Sequence, residues 1–213
     1  MRRTSVLLAG TAATAAVLLA AGCAAPGTGL NVRALPSSTG SASARPCVGF
    51  DPARSGPLPT ASGTPMNTPQ AEALAQALDP KGDRAFADVY GTMAVDSPPG
   101  RVLLCVTDLA RGREMAAAAK KEHPGIDLGR LDLELCRYSQ RTLDAVIGRM
   151  SKATGTEFAG FPLYSWSPNS DMSGIVVTTT RQGANSKALL QQLTALSGGT
   201  AVTVAAGAAT VMS

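Results

Sequence analysis

Between residues 89 and 205 one order of elements occurs twice, and that repeat constrains the fold more than any single motif. Val89 to Asp96 and Arg101 to Thr107 are β-rich runs either side of Ser97-Pro98-Pro99-Gly100, which reads as a β-hairpin. Asp108 is placed to cap a helix over Leu109 to Glu122, and His123-Pro124-Gly125 stops it. Leu131-Asp132-Leu133-Glu134-Leu135-Cys136 then alternates strictly, which predicts a strand with its leucines on one face and Asp132, Glu134 and Cys136 on the other. Ser139 opens a linking helix with Leu143, Val146, Ile147 and Met150 on one stripe. The order then returns. Phe161 to Trp166 and Gly174 to Thr180 are strands around a Ser167–Asp171 turn. A helix follows from Asn185-Ser186 with Leu189, Leu190, Leu193 and Leu196, and Ala201 to Val204 is a last strand. The expected class is α+β: two repeated ββαβ units, about 87–138 and 158–205, joined by a helix. An N-capped helix with Thr68 before Pro69, and Ala71, Leu74, Ala75 and Leu78 on its face, precedes them. The expected domain, 69–213, has a length that supports a core of its own, about 145 residues.

The first 68 residues read differently. Met1-Arg2-Arg3-Thr4-Ser5 is a positive head without an acid, and Val6 to Ala21 is apolar or small throughout. That run, about 16 residues, is short of the roughly 20 a membrane-spanning helix needs. A basic head, a short apolar run and small residues at its end describe a secretory signal over residues 1–22. Thr4-Ser5 after the arginine pair lacks the aromatic residue usual in twin-arginine signals, which favours the general secretion route. From Ala24 to about Thr68 the chain is rich in Gly, Ser, Thr, Pro and Ala and has no apolar period, so residues 23–68 are expected to be a disordered, flexible tether. Such a tether has a typical reach of roughly 35–40 Å. Within it Cys47-Val48-Gly49-Phe50 is an apolar island able to dock on the domain, where a disulfide from Cys47 would pin it.

Leu19-Ala20-Ala21-Gly22-Cys23 resembles the lipobox of bacterial lipoproteins, with Leu19 one place further from the cysteine than usual. The resemblance implies that the Cys23 thiol receives a diacylglyceryl group and that cleavage makes Cys23 the mature N-terminus. It places the chain on the extracytoplasmic face of the cell membrane, with the membrane as its partner through the lipid. Two or three acyl chains make a durable anchor where one is marginal, since each buried methylene contributes about 0.8 kcal/mol.

Composition narrows the function. The chain has 19 Lys+Arg and 15 Asp+Glu; without Arg2 and Arg3 its net charge falls to +2, too small to argue for nucleic acid. Beyond Cys23, three cysteines remain as disulfide candidates, Cys47, Cys105 and Cys136, with the pairing open. Their long spacings, and His123 as the only histidine, argue against a metal site, and no cofactor motif is present. No Gly-x-Ser-x-Gly elbow occurs, and His123 lies at an expected helix end. Asp132 and Glu134 share a strand face, where a solvated surface is the plain reading and acid–base work the sharper one. Lys120, Lys121, Arg130, Arg137, Arg141, Arg149 and Lys152 read first as solvated charge and second as a surface for an anionic partner. The chain has only 4 Phe, 3 Tyr and 1 Trp, yet Phe158, Phe161, Tyr164 and Trp166 fall close together. Tyr164 and Trp166, expected on one strand face, are the candidate binding surface, with core packing the competing role.

The repeated hairpin–helix–strand order is similar, over residues 89–205 and in element order only, to the prodomains of α-lytic-type bacterial serine proteases, in which small ββαβ units assist folding of the protease and inhibit it. Three functions follow as expectations. The first is a non-catalytic binding module of the cell envelope with an envelope protein as partner. The second is a folding helper or inhibitor of a secreted protease. The third is an envelope hydrolase using Asp132, Glu134 and His123.

Overall fold

A computed structural model of the chain describes residues 45–208. The expected signal peptide, Cys23 and the expected tether up to residue 44 lie outside the described residues.

The fold is α+β. It begins with a single-turn helix, α1 (Pro52–Ser55), and a two-strand hairpin, β1 (Thr60–Ala61) and β2 (Thr64–Pro65). Ser62 and Gly63 join these strands with φ of 51° and 79°, the left-handed pair that a two-residue hairpin loop demands. Helix α2 (Pro69–Gly82) follows. Then come β3 (Tyr90–Val95), β4 (Val102–Val106), α3 (Leu109–Glu122) and β5 (Leu131–Leu135), which form the first unit. Helix α4 (Gln140–Thr154) leads into the second unit. That unit comprises β6 (Glu157–Phe158), β7 (Phe161–Pro168), β8 (Gly174–Thr179), the short α5 (Arg181–Ala184), α6 (Lys187–Leu196) and β9 (Ala201–Ala206).

The repeat holds down to single hydrogen bonds. In each unit a hairpin is antiparallel and the strand after the helix returns parallel to the hairpin's second strand, giving β3-β4-β5 and β7-β8-β9. Both hairpins carry a bulge at the same place, between Tyr90 and Thr92 and between Leu163 and Ser165. Past the third strand, Cys136 N–H donates to Val106 O in one unit and Gly207 N–H to Thr179 O in the other. The helix starts are set locally. Asp108 accepts from Ala110 and Arg111 N–H, Ser139 from Thr142 N–H, and Ser186 from Leu189 N–H.

Two clusters of buried side chains share β4. Val102, Leu104 and Val106 pack under α2 and α3 with Leu74, Leu78 and Met115. Leu103 and Cys105, on the opposite face, join Leu143, Val146 and Met150 of α4 and Ile175, Val177, Leu189 and Leu193 of the second unit. Strand β4 is therefore buried on both faces. Helix α4 touches β3 on one side and β7 and β8 on the other, so it is the layer between the two sheets. The far face of the second sheet bears exposed Ser165, Ser167 and Thr203.

Two expectations are corrected. Residues 45–68 are held on the folded unit and do not form a free tether, because backbone pairing and a disulfide supply what side-chain burial could not. Thr68 occupies the cap position of α2, but its hydroxyl makes no cap bond. Its N–H instead donates to the buried Asp96 carboxylate at 2.6 Å. Pro80 sits in the last turn of α2, which ends at Gly82.

Candidate functional site

The segment entering the fold builds the densest grouping of reactive side chains. Arg45 O accepts from Leu135 N–H at 2.9 Å, and Cys47 N–H donates to Leu135 O at 2.8 Å, which adds a short parallel rung to the outer edge of β5. Cys47 then crosses the sheet to bond Cys105 of β4, 58 residues away in sequence. Gly49 is required just beyond. Its φ is +59°, and a Cβ there would fall 1.8 Å from Ser170 O.

Glu134, expected on a solvated face, is 5% exposed beneath this segment. It accepts from Val48 N–H at 3.1 Å and pairs with Arg54 at 3.6 Å, so the entering chain supplies both groups that compensate its buried charge. Asp132 does not share its surroundings. It is bridged by two bonds of 2.6 Å to Arg101. The two carboxylates are each committed to a separate cation and do not face one substrate. The Cys47 and Cys105 sulfurs and a Glu134 oxygen lie within 4.8 Å of one another. Both sulfurs are joined to each other and offer no thiolate to a metal.

Cys136 keeps its thiol, which donates to Tyr138 O at 3.3 Å, and the residue is 6% exposed. Burial pushes this thiol up to about 11. At pH 8 its thiolate population is therefore about 100-fold smaller than that of an ordinary cysteine. Ellman's reagent is expected to leave Cys136 unlabelled in the native protein and to label it in urea. Rapid native labelling of Cys136 would contradict the packing described.

The aromatic pair is split. Leu163 and Trp166 both reach the second core cluster although they are three residues apart, which strict alternation forbids. The bulge supplies the extra residue, and Tyr164 is the one left without a partner across the ladder. Trp166 thus joins the core and shares no binding face with Tyr164. His123 is exposed at the C-cap of α3. Three of the basic residues are engaged locally: Lys120 ties down Pro124 O and Ile126 O, Arg130 holds Gly100 O, and Arg137 stacks on Tyr138.

One cleft was not legible in the sequence. It has a volume of about 370 Å³ and is lined by the C-terminal end of α2 and the residues after it (Gly82, Asp83, Arg84), by Tyr90, and by the first turns of α4 (Gln140, Arg141, Asp144). These residues are scattered over sixty positions, and no local pattern links them.

No protein-family model matches the chain, and no curated protein matches it.

Proposed function

We propose that the chain is an exported lipoprotein, held on the outer face of the membrane through Cys23, whose domain is a non-catalytic binding module of the cell envelope. The buried Cys47–Cys105 disulfide carries this reading, because such bonds persist in oxidising compartments and are rare in the cytosol. The lipobox-like Leu19–Cys23 run agrees with it. Only 21 residues separate Cys23 from Arg45, where the chain joins β5, so the anchor holds the domain within about 75 Å of the bilayer even at full extension. The commitment of Asp132 to Arg101 and of Glu134 to Arg54 and Val48 N–H supports a binding role over hydrolysis.

The test compares intact mass and membrane partitioning of the wild type with those of a Cys23→Ala variant. The wild type is expected to carry a lipid-sized mass increment and to sediment with membranes, and the variant to do neither. Two soluble, unmodified proteins would overturn the anchor and the location together. The duplicated ββαβ topology favours a second reading, a folding helper or inhibitor of a secreted protease. It predicts that the purified protein slows, or restores on refolding, a secreted protease of the same organism.

A further inference from the structure

The cleft between α2 and α4 brings together groups that the rest of the fold leaves unused. Asp83, Arg84, Arg141 and Asp144 line it, and none of them makes an ion pair among the described residues. Tyr90 forms its floor. This residue is only 7% exposed, yet its hydroxyl has no protein hydrogen-bond partner among the described residues. Gly82 fixes the ring from above, because a Cβ at that position would lie 2.6 Å from Tyr90 Cδ2. The ring is buried while the hydroxyl opens onto the cleft and its water, where it is free to donate to a bound acceptor.

The two helix ends give the cleft opposite polarities. The C-terminal end of α2 presents its partial negative charge there, next to Asp83, which suits a cation. The first turn of α4 presents its partial positive charge. Ser139 Oγ takes the Thr142 N–H, which leaves Gln140 and Arg141 N–H without protein acceptors among the described residues. Beside them stand the Arg84 and Arg141 guanidinium groups, which suit a carboxylate.

We propose that this cleft binds a small zwitterion of the α-amino acid type, its ammonium directed to Asp83 and the end of α2, its carboxylate to Arg84, Arg141, the first amides of α4 and the Tyr90 hydroxyl. The cleft volume, about 370 Å³, leaves room for a side chain lying over Ala87 and the Tyr90 ring. Burial, with the Asp79 and Asp83 carboxylates nearby, pushes the Tyr90 phenol up to about 12, so it remains a donor at neutral pH. The inference gives the binding-module reading its ligand class and rests on that reading, whereas its test is independent of the lipid anchor.

The probe is L-leucine, titrated into the full chain purified in detergent and followed by amide chemical shifts and calorimetry. Two half-ligands accompany it, 4-methylpentanoate without the ammonium and 3-methylbutylamine without the carboxylate. Saturable shifts are expected at Gly82, Asp83, Gln140 and Arg141, with each half-ligand binding at least about tenfold more weakly, the equivalent of one lost charge contact. Asp83→Asn and Arg141→Gln are each expected to weaken L-leucine about tenfold, and Tyr90→Phe, which keeps the ring on Gly82, by a smaller factor. The exposed positions of Asp83 and Arg141 leave the fold intact in their variants. No saturable shift up to about 10 mM, half-ligands equal to L-leucine, or binding unchanged in all three variants would each overturn the proposal. Any of these results leaves the membrane-partition result standing, so failure of the cleft and failure of the lipoprotein reading are distinguished.

Discussion

Cys47→Ala is expected to lower the unfolding free energy by about 3–4 kcal/mol and to release the segment around residues 46–55 from the domain. The size follows from the loop that the bond closes. Cys47 and Cys105 are 58 residues apart in sequence, and a cross-link of that span removes chain entropy from the unfolded state worth about 4 kcal/mol. Local changes add little to this. Glu134 gives up the Val48 N–H and Arg54, and returns to water once the cover has gone. Urea unfolding measures the free energy, and hydrogen exchange at Cys47 and Val48 reports the release. Reducing the wild type with dithiothreitol is expected to reproduce both effects without changing a side chain. A loss below about 1 kcal/mol, with Val48 N–H still protected, would mean that the β5 rung holds the segment by itself.

Asp96→Ala is expected to cost about 3 kcal/mol, and Asp96→Asn roughly half of that. Asp96 is fully buried at the end of β3. One carboxylate oxygen accepts from Thr68 N–H at 2.6 Å, at the start of α2, and the other from Gly100 N–H at 2.5 Å in the following turn. Alanine strands both donors and removes a negative charge from the N-terminal end of α2. It must also take up a φ of 55°, a left-handed conformation that Asp and Asn tolerate and alanine resists. Asparagine keeps that tolerance and one acceptor but turns an amide against the other donor, hence the intermediate loss. Equal stability of the three proteins in urea would show that neither hydrogen bond contributes.

Element order was legible because each element is written in local terms. The alternation of Leu131 to Leu135, the apolar stripes of α4 and α6, and the caps Asp108, Ser139 and Ser186 depend on neighbours within a few residues, so periodicity and hydrogen-bond chemistry decide them. The repeat of hairpin, helix and strand was visible on the same grounds. The short α5 and the β6 pairing went unread, since few residues carry their signal.

The site residues depended on partners far along the chain. Nothing near Glu134 announces that Val48 and Arg54 cover it, and nothing near Cys47 selects Cys105 over Cys136. Tyr164 and Trp166 share a face in a regular strand, and one extra residue in the ladder separates them, because a strand's period of two turns any insertion into a change of side. The cleft at Tyr90 is lined from the end of α2 and from the first turns of α4, which lie far apart in the sequence. The sequence by itself determined which segments become helices and strands, since those choices rest on local backbone chemistry. Only the tertiary structure decided which charges are buried, which cysteines pair and where a ligand-sized space remains, because those outcomes depend on long-range register and packing.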